Sequence, residues 1–456
     1  MSEPPMDAMF PNNWTAPLFE WSAPANANVF ELRLAMDNQD NDLVVYTSDI
    51  RYTLPDALWD VVKVHGSGHD VDVSIRSATL EAGALSAGPD LGTSGTVHIA
   101  PAAAAGSVVY WTTSNGSALK GFEIGAKDVS LVADPALMGD GTTCVGCHSS
   151  SPDGEYVFLT RNGSPFSVNA RTVDGTATVA PTSVVSGNAD TLFQRSNQTL
   201  PVFSPAHYSG TDAVALTVLS HADTNHRYEL VWTDLRASAA GSGIISRNGD
   251  DRQPATPDWS DDGTTIVYTS LNDVVDGRTG VGPMDLYTVP YNDKAGGTAS
   301  ALGEAADPNV NEYYPTFSPG DQLVAFNRSP LGLNSYNQPQ AEIYLVARDG
   351  TGLTRHAAND PAACTNITSP GITNSWARWA PEATVVGNDK YYWLVFSSQR
   401  RPGTIQLFVA AVVTDPTVAG EPIKRTYPAV YVTTQPEAEN NHTPAWDVFN
   451  VPPVPN

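Results

Sequence analysis

The stretch YPTFSPGDQLVAFNR, residues 314–328, joins an aromatic residue and a proline to a tight turn and a long apolar segment. Gly and Asp suit a hairpin turn because both tolerate the left-handed backbone conformation. The apolar run that follows is typical of a strand that is buried on both faces of its sheet. The stretch therefore predicts a β-hairpin whose second strand is covered on both sides.

The same pattern recurs along the chain with a period of roughly 50–60 residues. A further strand signal follows the copies, as in ELVWTDL (229–235) and EIYLVAR (342–348). Because one repeat can bury its faces only against its neighbours, we expect the array to close into a ring. The other copies are SSSPDGEYVFLT (149–160), LPVFSPAHYSGTDAVALTV (200–218), TPDWSDDGTTIVYTS (256–270) and ARWAPEATVVGNDKYYWLVFSSQRRPG (377–403).

The two ends of the array complement each other. NHTPAWD (441–447) reads as an innermost strand with no outer strands after it, whereas SVVYWTTSNG (107–116) and ALKGFEIG (118–125) read as outer strands with no inner strand. Together they make one more repeat unit, which brings the predicted total to six and closes the ring across the termini.

The phrases FSPGD, WSDDG, SSQRRPGTIQLFV and HTPAW resemble those of the TolB-like β-propellers, which are built from PD40 repeats. The resemblance covers residues 107–450. It implies a six-bladed propeller with a central funnel, and it implies a partner protein bound at that funnel.

Residues 10–100 show a different pattern. VFELRLAM (29–36), DLVVYTS (42–48), DVDVSIRSATL (70–80) and GTVHIAP (95–101) alternate or run apolar between Asp/Asn-rich turns. The pattern resembles a fibronectin type III or immunoglobulin-like β-sandwich, with a short helical turn in residues 54–64. PAAAAGS (101–107) reads as the linker. The predicted fold class is all-β: a sandwich, then the propeller.

The chain is acidic, with 49 Asp+Glu against 24 Lys+Arg and a net charge of −25. This balance argues against nucleic acid or an anionic membrane surface as a partner. No apolar run approaches the ~18 residues of a membrane-spanning helix. The opening MSEPPMDAMFP has neither the basic nor the apolar region of a signal peptide.

The scarcity of Lys beside abundant Ser, Thr, Asn and Gly is typical of exported proteins. We therefore expect a periplasmic or extracellular protein whose native export signal, or lipid anchor in a cell-surface lipoprotein, is missing ahead of Met1.

CVGCH, residues 144–148, is the motif that carries chemistry. It resembles the C-x-x-C-H site of c-type cytochromes. This resemblance implies one covalent haem c, with thioether bonds at Cys144 and Cys147 and His148 as the proximal iron ligand. Haem c is attached outside the cytoplasm, which agrees with the composition. A redox disulfide is the first alternative. A zinc site is another, but it needs four ligands and no second C-x-x-C occurs.

Alignment of the repeats on their S-P-D-G-like turns places His148 beside Pro315 and Pro444. The motif therefore falls at the start of one innermost strand, at the mouth of the central channel, so that the haem is expected on the funnel wall.

The same alignment ranks candidates for a sixth iron ligand. His442, directly before the innermost strand of the closing unit, is the first choice. His221 or His226, Met138 on the approach to Cys144, and an open position remain alternatives. His65, His69, His98 and His207 are expected elsewhere, and Cys364 is expected to be unpaired. The side chains expected near the funnel, where Arg residues can pair with haem propionates, are Tyr313, Tyr314, Trp376, Arg378, Arg400 and Arg401.

These patterns support three hypotheses about function. The first is electron transfer or redox sensing by an exported c-type haem protein, with a redox partner at the funnel. The second is a haem-dependent oxidoreductase, peroxidase- or oxidase-like, with its substrate in the funnel. The third is a TolB-like protein-binding scaffold. No Ser-His-Asp set or nucleophile elbow stands out, and the fold by itself does not choose among the three.

Overall fold

The computed structural model describes residues 1–139, 141–162, 167–176, 179–195, 199–220, 228–236, 241–275 and 279–452. These residues lie mostly in β-strands, joined by turns and a few short helices. The chain is therefore mostly β, as predicted.

The N-terminal part contains two sheets and one helix. Its elements are β1 (Met9–Phe10), β2 (Leu18–Glu20), β3 (Val29–Ala35), β4 (Leu43–Thr47), β5 (Arg51–Thr53), α1 (Asp56–Gly66), β6 (Asp70–Glu81) and β7 (Ala84–Ile99). The larger sheet has the order β1-β7-β6-β3-β4, and β2 pairs with β5. Alternate side chains of β3 are buried, namely Phe30, Leu32 and Leu34, so one face of this sheet forms the core.

The helix in this part is longer than the sequence analysis predicts. The predicted short turn is an 11-residue helix, because Trp59, Val62 and Gly66 recur at helical spacing and are buried together. The Trp59 ring lies 5.8 Å from that of Phe10. The larger sheet has five strands and the smaller has two; the fibronectin type III or immunoglobulin-like sandwich for residues 10–100 stays a prediction.

The segment predicted as a linker is partly buried. Ala102 and Ala104 are each 2% exposed, and the Asn13 side chain both donates to the Ala104 carbonyl (2.8 Å) and accepts from its N–H (3.0 Å). Side chains of the N-terminal sheets share one apolar cluster with Tyr110 and Trp393 from the following sheets. The two parts of the chain therefore pack directly against each other.

From residue 107 onward the described residues form six antiparallel sheets and one small parallel pair. The first strands and helices are β8 (Ser107–Thr112), β9 (Ala118–Glu123), β10 (Ser130–Ala133), α2 (Pro135–Met138), β11 (Val145–Ser150), β12 (Tyr156–Arg161), β13 (Ser167–Thr172), α3 (Gly187–Phe193), β14 (Tyr208–Ser209), β15 (Asp212–Ser220), β16 (Tyr228–Asp234), β17 (Ser242–Ile244) and β18 (Ser246–Asn248).

The remaining strands are β19 (Gln253–Trp259), β20 (Thr265–Val275), β21 (Thr279–Pro290), β22 (Gly296–Thr298), β23 (Ser300–Ala301), β24 (Val310–Phe317), β25 (Leu323–Pro330), β26 (Glu342–Ala347), β27 (Thr354–Arg355), β28 (Ser375–Trp379), β29 (Thr384–Val386), β30 (Asp389–Ser398), β31 (Gln406–Thr414), β32 (Ile423–Thr426), β33 (Val430–Tyr431) and β34 (Asn441–Asp447).

We number the six sheets along the chain. Sheet 1 is β11–β13, sheet 2 is β14–β17, sheet 3 is β19–β21 with β23, sheet 4 is β24–β27, and sheet 5 is β28–β33. Sheet 6 combines β34 with β8, β9 and β10, and β18 pairs with β22.

The first hairpins of sheets 1, 3 and 4 have a common geometry. After the inner strand, the backbone N–H of Ser151, Ser260 or Ser318 donates across the turn, at 2.9 Å in each case. The inner strands β11, β19, β24, β28 and β34 each contain a β-bulge near their starts. In sheet 2 an extended segment replaces the inner strand, since Val202 and Leu216 exchange two backbone hydrogen bonds (2.8 and 2.9 Å).

Sheet 6 is assembled from both ends of the array, as the sequence predicts. Strand β34 pairs with β8, with Trp446 opposite Val108. The Trp446 indole N–H donates to the Ala105 carbonyl (2.8 Å), and the ring is 4% exposed. The C-terminal strand therefore fills a place inside the core.

Removal of residues 440–456 is expected to abolish cooperative unfolding of the chain. The deletion takes away β34, exposes the edge of β8 and leaves a void in place of the Trp446 ring. Thermal melts followed by circular dichroism measure the effect, with removal of residues 453–456 alone as the control. A cooperative melt that is unchanged by the longer deletion would contradict this role of β34.

Candidate functional site

The C-x-x-C-H motif lies at the start of the inner strand of sheet 1, as predicted. Cys144 precedes β11, and Cys147 and His148 lie within it. Neither thiol takes part in a disulfide, and both residues are partly exposed. Between them Val145 is fully buried, and a Cβ on Gly146 would lie only 3.0 Å from the Thr160 hydroxyl. The middle residues of the motif therefore pack inward while the two cysteines stay accessible.

His148 takes the place that proline has in other repeats. Counted from the hairpin turns, it aligns with Pro257, Pro315 and Pro444. Because proline has no N–H, those positions do not pair with the next strand. His148 does pair, with Leu159. The bulge of β11 consequently lies one residue earlier than the bulges of the other inner strands.

The His148 imidazole is held in one protonation state. The ring is 5% exposed, and its Nε2 lies 2.8 Å from the Val109 carbonyl, so Nε2–H donates. Nδ1 is buried and has no hydrogen-bond partner. Burial lowers the pKa of His148 to about 4, although the bond to Val109 opposes this shift. The ring is thus neutral at ordinary pH, with a free lone pair on Nδ1.

His442 lies at the interface between sheet 6 and sheet 1. It pairs in register with Trp111, two residues along β8 from Val109, and the two rings are 5.5 Å apart. Its Nε2 is 3.5 Å from the Thr113 hydroxyl. Burial lowers the pKa of His442 to about 4. His442 and His148 therefore both contact β8.

Met138 belongs to the same interface. It is buried in one apolar cluster with Val109 and Val145. Its sulfur lies 3.5 Å from Nη1 of Arg171, a guanidinium that is fully buried.

The other histidines that the structure describes lie away from the motif. His207 stacks on Trp259 and pairs with Asp212 (2.7 Å). His98 lies between Asp7 and Asp70 in the N-terminal part, where His65 and His69 are exposed. His221 and His226 lie outside the described residues.

A central cavity of about 320 Å³ lies beside the motif. All six sheets contribute to its wall, including His148 from sheet 1; Cys144 and Cys147 are not on the wall. Its volume is at the lower end of the range of small-molecule sites. The aromatic residues on the wall are Phe203, Trp259, Phe317, Trp376, Trp379 and Trp446.

Charged side chains also line this cavity. Burial lowers the pKa of Arg378 and raises that of Asp258, and their mutual attraction opposes both shifts. Asp447 accepts hydrogen bonds from the Ser150 hydroxyl and the Val448 N–H. Burial raises the pKa of Asp447 to about 6.

Of the side chains predicted near the funnel, only Arg378 and Trp376 line the cavity. Tyr314 packs edge-on against Trp376, with 4.7 Å between the ring centroids, and Tyr313 packs against Tyr314. Arg400 and Arg401 line a separate cavity of about 370 Å³. Their predicted position is wrong because the loop after β30 turns toward the N-terminal part, where Arg401 pairs with Glu20 (3.1 Å).

Three further facts bear on function. Cys364 is a free thiol, as expected, and donates to the Met1 carbonyl (2.8 Å). The described residues contain no group of three or more His, Cys, Asp or Glu side chains arranged to hold a metal ion. No helix in the described part of the chain has the length and apolarity of a membrane span.

Comparison with known proteins identifies similar solved structures only. No family model and no curated protein matches the chain. A TolB protein from Agrobacterium tumefaciens is 15% identical over 75% of this chain and 98% of its own, with a TM-score of 0.38. Prolyl oligopeptidase B from Galerina marginata is 12% identical over 71% of this chain and 49% of its own (TM-score 0.32). Dihydro-heme d1 dehydrogenase NirN is 9% identical over 91% of this chain and 75% of its own (TM-score 0.32).

Asp447→Asn is expected to change how stability depends on pH. The folded pKa of about 6 exceeds the ~3.9 of an unfolded Asp, so the wild type loses stability as pH rises through this window. The variant lacks that titration. Its free energy of unfolding, relative to wild type, should increase by on the order of 2 kcal/mol between pH 4 and 7.

Urea unfolding at a series of pH values measures this difference. Asp40→Asn, which removes an exposed carboxylate, is the control and should give a nearly flat difference. A flat difference for Asp447→Asn as well would show that its carboxyl group is not perturbed.

Proposed function

We propose that the six sheets form a six-bladed, TolB-like β-propeller closed across its termini, which carries one covalent haem c and serves in electron transfer or redox sensing outside the cytoplasm. In this proposal Cys144 and Cys147 would hold the haem through thioether bonds, and His148 would bind its iron. The state of the His148 ring carries the proposal.

An imidazole that binds a metal donates its other ring N–H to a backbone carbonyl or a carboxylate, and this bond fixes the tautomer. His148 has this arrangement, since Nε2–H bonds Val109 and Nδ1 keeps a lone pair without a partner. A buried lone pair without a partner is otherwise costly. Burial also keeps the ring in its neutral form, which is the form that binds metal. The residues present therefore fit the group.

The two cysteines fit the remaining requirement. Neither is in a disulfide and both are partly exposed, so haem vinyl groups would be able to reach them. Only the histidine of this motif contacts the iron, so the site needs no cluster of three metal-binding side chains. When bound, the haem supplies a one-electron redox centre.

His442 remains our proposal for a second residue that would bind the haem iron. The His442 ring is buried and neutral. It lies beside β8, the strand whose Val109 carbonyl holds the His148 ring. Met138 is the alternative within the described residues, although its sulfur already contacts Arg171.

The central cavity favours a second candidate function. A cavity of about 320 Å³ beside His148 gives room for a substrate, as a haem-dependent oxidoreductase requires, or for a segment of a partner protein. In both cases the substrate or the partner segment must enter the central cavity, whereas electron transfer requires only that one edge of the haem is exposed.

Expression with c-type haem maturation machinery is expected to yield protein whose intact mass exceeds that of the polypeptide by one haem after acid–acetone extraction. Cys144→Ala with Cys147→Ala should abolish the added mass, whereas Cys364→Ala, the matched control, should keep it. A wild-type mass equal to that of the bare chain would overturn the haem proposal.

The haem protein with two nitrogen ligands is expected to be low-spin in both redox states and to bind CO slowly. His442→Ala should give a high-spin spectrum and faster CO uptake, and His207→Ala should change neither. Optical spectra and stopped-flow mixing measure these effects. A wild-type protein that is already high-spin and binds CO readily would favour the oxidoreductase. A low-spin spectrum that survives His442→Ala would exclude His442 as the ligand.

A further inference from the structure

One side chain from each sheet lines the central cavity at an equivalent position, two residues before the first residue of the hairpin turn. We call these six positions the inner ring. They are Ser149, Val202, Asp258, Thr316, Arg378 and Ala445. Four of them are uncharged, so the electrostatic character of the ring depends on Asp258 and Arg378.

These two charges lie near each other without pairing. Each affects the pKa of the other, yet no ion pair within 4 Å joins them in the described part of the chain. Asp258 belongs to sheet 3 and Arg378 to sheet 5, and sheet 4, which contributes Thr316, comes between these two sheets along the chain. An acidic and a basic group that face one cavity and remain apart leave room for a ligand between them.

The Arg378 guanidinium has one edge free. Its Nη1 donates to the Ala377 carbonyl (2.9 Å), and the group lies over the Trp376 ring at 4.6 Å. Its Nε and Nη2 make no hydrogen bond to the residues that the structure describes. These two N–H groups form the fork that binds a carboxylate in bidentate fashion.

Asp258 is held mainly from the next sheet, because its Oδ2 accepts the Phe317 N–H (2.7 Å). Its carboxyl group also accepts hydrogen bonds from the Thr316 side chain and the Trp259 backbone. A carboxylate has about four acceptor sites, so it can accept further hydrogen bonds. Asp261 and Asp447 also line the cavity and are held by Gly320 N–H and by Ser150 and Val448. The cavity thus has three carboxyl groups and one guanidinium, which favours a ligand with an ammonium group over a simple anion.

Part of the wall is apolar and suits a side chain of moderate size. Leu200, Val202, Phe203 and Trp379 lie on it. The cavity of about 320 Å³ accommodates a small molecule but not a folded partner.

We propose that the inner ring binds a free α-amino acid with an apolar side chain. Its carboxylate pairs with Nε and Nη2 of Arg378, its ammonium group pairs with Asp258, and its side chain packs on the aromatic wall. A ligand with only one of the two charges leaves either Asp258 or Arg378 desolvated without a partner, which lowers its affinity. The site does not depend on haem, so it goes beyond the function proposed above.

Isothermal titration calorimetry of the full chain with L-leucine tests the proposal. Leucinamide, which lacks the carboxylate, and N-acetyl-leucine, which lacks the ammonium group, should each bind roughly tenfold to a hundredfold more weakly. Equal binding of either analogue, or no heat with L-leucine at millimolar concentration, would overturn the proposal. Because this comparison uses the wild-type chain, it does not depend on the folding of any variant.

Asp258→Asn and Arg378→Gln should each weaken L-leucine binding by roughly tenfold to a hundredfold as well. The matched controls, Asp40→Asn and Arg76→Gln, remove exposed charges of the N-terminal part and should leave it unchanged. Thermal melts confirm that the variants are folded. Unchanged binding by folded Asp258→Asn or Arg378→Gln would contradict the assignment. Repetition in the Cys144→Ala, Cys147→Ala protein separates this result from any failure of haem attachment.

Discussion

Residues 441–447 are hydrogen-bonded to residues 107–112, so that one sheet is made from the two ends of a long array. The second strands of the sheets are apolar on both faces, as β12 and β25 show, and such strands require a neighbouring sheet on each side. A linear array would leave its two outermost sheets uncovered. The pairing of β34 with β8 supplies the missing neighbour, and the burial of the remaining sheets depends on it.

The candidate haem site depends on the same pairing. Val109, which fixes the His148 ring, lies in β8 directly opposite Ala445 of β34. His442 belongs to β34 itself, and Trp111, which its ring approaches, belongs to β8. The tautomer of His148 is therefore fixed by a carbonyl group that is correctly placed only when the C-terminal strand has joined the sheet. Folding of the array and preparation of the imidazole are thus linked.

Much of this was predictable because the repeat has strong local signals. The turn residues and the apolar strands after them locate the hairpins, and the unmatched strands at the two ends predict their pairing. The position of His148 follows from the alignment with Pro315 and Pro444. Its hydrogen bond to Val109 was not predictable, because a backbone carbonyl carries no sequence signature.

Other features were missed for reasons that are also physical. Asp258 was missed, whereas Arg378 was predicted near the funnel. The two residues occupy the same repeat position, directly before the aromatic residues of DWS and RWA. Only the register of all six sheets shows that this position lines the cavity. Arg400 and Arg401 were misplaced because loop direction depends on tertiary packing against Glu20. The helix Asp56–Gly66 contains β-branched residues that suit a strand as well, and burial of Trp59 decides between the two.

The buried segment around Ala102 and Ala104 has a mechanical consequence. Because the N-terminal sheets share their apolar cluster with Tyr110 of sheet 6 and Trp393 of sheet 5, no hinge separates them from these two sheets. A force applied to the N-terminal part is therefore transmitted to two adjacent sheets at one side of the array, instead of being absorbed by an extensible tether. Under load, this flank of the molecule should behave as a single stiff body that sets the direction in which the central cavity points.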